Sequence, residues 1–197
     1  MSNVIFTYNE EAALTAGQGG FINESGAYVL TITEAALKQS EKGARFIEFS
    51  GESDDGKKVQ YLSVCTTKND GTENKFGANV IHAMMGCAGV RQLTQHMQSA
   101  SSFVAPEFHG KKIGLVLQKV LTTKRDGSDS YQMEIRLPFI AQTGQTLKEK
   151  AEGKQAETVN NMVSTMKDKD NRKKQSSSQS NDGYHFGQDD DHGFTPF

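Results

Sequence analysis

No stretch of 18 apolar residues occurs in the 197-residue chain, which excludes a membrane-spanning helix. Cysteine is scarce. Cys65 and Cys87 cannot build a disulfide framework, so a reducing, cytoplasmic compartment is expected. The opening run MSNVIFTYNEEAA lacks a basic stretch followed by an apolar core, so no secretory signal is expected. Apolar residues make up only 35% of the chain, too few for every segment to pack. Net charge is also small, -2 at neutral pH, which argues against a nucleic-acid partner until charge is divided by position.

Residues 1–146 hold 14 basic and 15 acidic side chains, net -1. Residues 147–181 hold 8 basic and 5 acidic, net +3, and residues 182–197 hold four aspartates and no Lys or Arg, net -4. A basic stretch followed by an acidic end is the pattern of an interaction tail. Composition divides the chain at the same place. The run Lys167–Asn181 has no apolar residue, cannot offset its ordering entropy by burial, and is expected to be disordered. Leu147, Ala151, Val159, Met162, Val163 and Met166 fit a short helical stripe broken at Gly153. Four parts are expected: an N-terminal extension (1–25), a β-rich domain (26–146), a polar linker (147–181) and an acidic tail (182–197).

Five segments of the domain alternate with the period of a strand: 26–38, 44–53, 58–67, 112–123 and 130–140. Asp55-Gly56 and Asp126-Gly127 mark hairpin turns. In the last segment Tyr131, Met133, Ile135, Leu137 and Phe139 fall on one side of Gln132, Glu134 and Arg136. Between the third and fourth, Val80, Ile81, Met84 and Met85 recur at helical spacing within 76–90, with a further turn through Leu93 and Met97. Three strands, a helix and two strands match a mainly β, five-stranded OB-fold-like barrel, followed here by a disordered C-terminal tail. Other five-stranded barrels and α+β rolls share that order.

Few residues suggest chemistry. Gly51–Lys58 approaches a phosphate-binding loop. It lacks the final Ser or Thr, carries Asp54 and Asp55 where phosphates would sit, and leads into a strand, so it is read as a hairpin turn. Cys65, His82, Cys87, His96 and His109 contain no CxxC or HxxxH pair, so no metal is expected. The signatures of common hydrolases are absent, no cofactor is expected, and the chain is not read as an enzyme. Cations gather at strand junctions instead: Lys42 and Arg45, Lys57 and Lys58, Lys124 and Arg125. Tyr28, Phe46 and Tyr61 lie on the first three strands. On an OB barrel these would hold phosphates and stack bases along one groove.

The chain ends in Asp189-Asp190-Asp191, then Phe194, Pro196 and Phe197. Apolar residues at a free end have no local core to join. They suit capture by a partner, with Phe197 in an apolar pocket and the aspartates on a basic ridge. This end resembles that of bacterial-type single-stranded DNA-binding proteins, although Thr195 stands where an apolar residue is usual. Gly26–Ile32, the Lys42-Gly43 turn and the Asn79–Gly89 helix resemble a phage and prophage group of small OB-type single-strand binders, over about residues 20–142.

The resemblance implies a replication or recombination protein, in the host cytoplasm if phage-encoded. It would coat single-stranded DNA without strong sequence preference and recruit partner proteins through its end. The oligomeric state, including a homo-oligomer, stays open, as do two rival functions. One is a recruitment adaptor that never touches nucleic acid, which the net -1 of residues 1–146 favours. The other is a metal-dependent nuclease using scattered carboxylates.

Overall fold

The computed structural model describes residues 7–10 and 20–172. Its centre is one curled sheet of nine strands forming a half-barrel. Five long strands carry it: β2 (Gly26–Gln39), β3 (Arg45–Ser53), β4 (Lys57–Thr67), β7 (Lys112–Thr123) and β8 (Asp129–Phe139). Their spatial order is β4-β3-β2-β7-β8, every neighbouring pair antiparallel.

The expected count of five strands is corrected to nine by four short ones. β1 (Gly20–Phe21) pairs with the start of β4, and β9 (Lys169–Asp170) with β7. β5 (His96–Ser99) and β6 (Ser102–Val104) form a hairpin that extends the sheet beyond β2. Runs of two to four residues are too short to show a periodicity, so sequence patterning could not find them. Met97 therefore lies on β5 and not on a further helical turn.

The strand alternation places one core inside the curl. Leu30, Ile32, Ile47, Phe49, Leu62, Ile113, Leu115 and Leu117 are buried there. Phe49 meets Phe108 edge-on, with ring centroids 5.2 Å apart. Helix α1 (Lys75–Ala88) closes the bottom with Val80, Ile81 and Met84. The Asn74 side chain caps its start, and Gly89 ends it in the left-handed conformation, φ 68°. The helix sits so close to β4 that a Cβ on Gly77 would stand 1.8 Å from the Cys65 carbonyl oxygen.

A second core covers the outside of the sheet. Val116 and Phe139 pack against Val159 of helix α3 (Thr158–Thr165), with Met162, Val163 and Met166 beside them. A bulge supplies part of this surface. Val116 faces Leu137 and Leu117 faces Ile135, which leaves Arg136 extra on β8. The stripe expected on one side of β8 therefore divides: Met133 and Ile135 point inward, while Leu137 and Phe139 belong to the outer core.

Residues 147–172 are thus part of the packed body, where a polar linker was expected. Helix α2 (Leu147–Ala151) and α3 are joined by Glu149, a buried carboxylate that serves both helix starts. Its Oε2 accepts from Thr146 N at 2.8 Å; its Oε1 accepts from Glu157 N at 3.0 Å and Thr158 N at 2.7 Å. The Thr158 hydroxyl and these backbone donors hold the Glu149 carboxyl well below the usual carboxylate range. Lys167–Arg172, expected to be disordered, is fixed by backbone pairing to β7 and by Arg172 on Asp129 and Asp170. Hydropathy does not register contacts of that kind. Among the described residues no helix is long and apolar enough to cross a membrane.

Candidate nucleic-acid interface

The nine residues expected to line one groove fall into separate groups. Lys42 and Arg45 are exposed at the β2–β3 turn, and Phe46 follows them, half-buried. Register places Lys57, Lys58, Lys124 and Arg125 towards the opposite end of β2, at the β3–β4 and β7–β8 turns. A strand rises about 3.3 Å per residue, so along the 14 residues of β2 up to roughly 43 Å separates the two ends.

Their electrostatics differ as well. Lys57 pairs with Asp55 at 3.2 Å and Lys58 with Glu52 at 4.0 Å, while Lys112 holds Asp54 at 2.8 Å. These exposed pairs are weak, but they place acid beside every cation of that turn. Lys42, Arg45, Lys124 and Arg125 make no ion pair among the described residues. Arg172 bridges Asp170 and Asp129, so the chain leaves the described body beside the β7–β8 turn.

The rings differ in the same way. Tyr28 packs against the inner core and donates its hydroxyl to the Glu24 carbonyl at 2.9 Å. Burial, reinforced by Glu24 and Asp55 and opposed by Lys57, holds that hydroxyl above its usual range. Phe46 stands on the outer face of β3, across from Lys38 and Cys65. Glu34, Glu48 and Glu52 share that outer face, since their neighbours Ile47 and Phe49 point inward. Tyr61 is 73% exposed.

Tyr61 is also strained. It alone among the described non-glycine residues has a positive φ, 60°. The cause is a bulge: Gly51 faces Val59 and Phe49 faces Leu62, so Gln60 and Tyr61 together oppose Ser50. An L-residue in this conformation costs about 1–2 kcal/mol, and glycine is the usual occupant.

Tyr61 stands at the opening of the half-barrel. Among the described residues, the outer edge of β4 has no strand partner from beyond Lys58 as far as Cys65, and β8 pairs with β7 alone. Helix α1 touches both strands beneath the gap. Between them lies a cleft of about 280 Å³ lined by Tyr61, Phe76, Asn74, Gln132, Glu134 and Arg136, among others. Phe76, in the first turn of α1, is 64% exposed. Tyr131, near the start of β8, is 41% exposed, with the Lys119 ammonium 5.0 Å from its ring centre.

Sequence reasoning found Tyr61 but not Phe76, Arg136 or the Lys119–Tyr131 pair. The Asn74 cap was a usable signal, because a large ring two residues after a cap falls in the first helical turn. The bulge that leaves Arg136 extra had none. Cys87 is half-buried, and burial, opposed by Lys150, pushes its thiol up to about 11, which disfavours the thiolate at neutral pH. Asp189, Asp190, Asp191, Phe194, Pro196 and Phe197 lie outside the described residues. No known protein family matches the chain, and no characterised protein does.

Proposed function

We propose that this chain is an OB-type single-stranded DNA-binding protein, with no catalytic step, that recruits replication or recombination partners through its acidic end. The observation that carries the reading is the path of the five long strands. A three-strand meander, a helix under the half-barrel and a hairpin returning beside the first strand, with a gap between third and last, supports the reading because an OB barrel would follow the same order. Exposed cations that make no ion pair among the described residues stand at the β2–β3 and β7–β8 turns, the two loops that flank ligands on this fold, although Asp126 acts on Lys124 in the second. Exposed rings on the intervening strands supply stacking surface, which is indifferent to base identity. The acidic tail, net -4 over residues 182–197, is the recruiting element, and Phe194, Pro196 and Phe197 are its apolar anchor. Arg172, which precedes the tail in the chain, lies on Asp129 at the β7–β8 turn, so the tail is tethered within reach of Lys124 and Arg125 and competes with DNA for them.

One observation favours the adaptor reading. The outer face of β2 and β3 carries Glu34, Glu48 and Glu52, which repel phosphate. Binding of the full chain to poly-dT at two salt concentrations separates the readings. The DNA reading expects tight binding that weakens steeply as salt rises. No binding, or binding indifferent to salt, leaves the adaptor.

A further inference from the structure

The cleft between β4 and β8 is not where an OB groove is expected from loops and outer strands. It does gather three unusual features of the surface: the strained, exposed Tyr61, the exposed Phe76, and two strand edges without a partner among the described residues. We propose that this cleft takes one unpaired DNA base, stacked on Tyr61 with Phe76 at its rim, while Arg136 meets the adjoining phosphate. The inference rests on the single-stranded DNA reading and names the site within it.

Four observations lead there. The bulge at Gln60 and Tyr61 drives a ring into solvent at a backbone cost that a glycine would avoid, and such strain persists where the exposed group has a use. The cleft, about 280 Å³, falls at the small end of ligand pockets, so it suits one flat ring system. Its walls offer stacking surface from Phe76 and hydrogen-bonding groups from Asn74, Gln132 and Glu134, with the last two linked at 3.4 Å. Arg136 is exposed and makes no ion pair among the described residues.

Two strand edges without a partner among the described residues invite a different guest, a peptide adding itself as a strand. The bulges oppose it. Gln60–Tyr61 breaks the regular ladder of β4, and Arg136 breaks that of β8, so an inserted strand finds no continuous register on either side. A base needs no register.

Tyr61→Gly tests this in the full chain. Glycine relieves the strain and removes the ring, so Tm should rise by about 2–4 °C while affinity for a dT oligomer falls roughly tenfold or more. Phe21→Ala, an exposed ring outside the cleft, should bind as the parent does. Arg136→Gln should lower the salt slope by about 0.7, the share of one phosphate on a single strand. The chain has no tryptophan, so Phe76→Trp provides a lone reporter whose emission should quench on adding dT oligomer. If the parent binds dT but Tyr61→Gly binds equally well, the cleft is wrong and the DNA reading survives. If the parent does not bind, both fall. If the reporter answers a synthetic peptide of residues 182–197 and not dT, the occupant is the tail and the proposal is overturned.

Discussion

The outer face of β2 and β3 and the seam between β4 and β8 belong to one sheet and look alike in sequence, with rings set among charges. In the folded chain they differ. Phe46 on the first is half-buried on a face that it shares with Glu34, Glu48 and Glu52, while Tyr61 and Phe76 on the second stand in solvent beside Arg136, which makes no ion pair among the described residues. The difference comes from three local events that alternation does not encode: a bulge on β4, a bulge on β8, and a capped helix start between them. A polyanion approaching this molecule meets three glutamates and no fully exposed ring on one face, and accessible rings with one glutamate, Glu134, and Arg136 on the other. Burial and neighbouring charge, more than the presence of a ring, decide which surface is usable.

The largest expected effect removes the seam altogether. Gly77→Ala puts a methyl group against the Cys65 carbonyl with no flexible side chain to yield, so α1 must move off β4. Overpacking of this kind costs about 1–3 kcal/mol, read from the urea midpoint, and DNA affinity should fall with it. Unchanged stability would mean that α1 does not prop the seam.

Next comes a direct exchange between the two regions. Phe76→Ala should lose about 1–3 kcal/mol of single-strand affinity while folding stability stays within about 0.5 kcal/mol. Phe46→Ala should leave affinity within about 0.5 kcal/mol. The reverse ranking would return the binding surface to the outer face. A finer test neutralises that face. Glu48→Gln should change affinity less than about threefold, since one exposed charge at a distance is largely screened. A much larger gain would place phosphates directly over β3.

The smallest effect on DNA affinity concerns the outer core, which touches β2 through Val29 but lies away from the seam. The Glu149 carboxyl titrates below its unfolded value, so its stabilisation is present at neutral pH. It is lost as pH falls through and below the ordinary carboxylate range near about 4.3. The urea midpoint should drop on acidification, and Glu149→Gln should flatten that dependence. DNA affinity at neutral pH should barely respond to the same substitution, which separates the clasp from the seam.

Long elements were legible because burial of alternate residues is written in the chain: β7 is found at Lys112–Thr123, the expected bounds, and Val80, Ile81 and Met84 face the core as their spacing requires. Other features rest on contacts that leave no periodic trace. β9 is held by two residues of backbone pairing, the α2–α3 corner by the Glu149 carboxylate, and the face of Leu137 is switched by one extra residue. The site divides in the same way. Tyr61 was visible as a ring on a strand, but its exposure and strain depend on what lies opposite it on β3, which only the register reveals.

The most direct measurement is photocrosslinking of the full chain to a dT oligomer carrying a halogenated base, with the attachment site read by mass spectrometry. The account predicts covalent attachment at Tyr61 or Phe76. Attachment concentrated on Phe46 or Tyr28 with the seam untouched would contradict it.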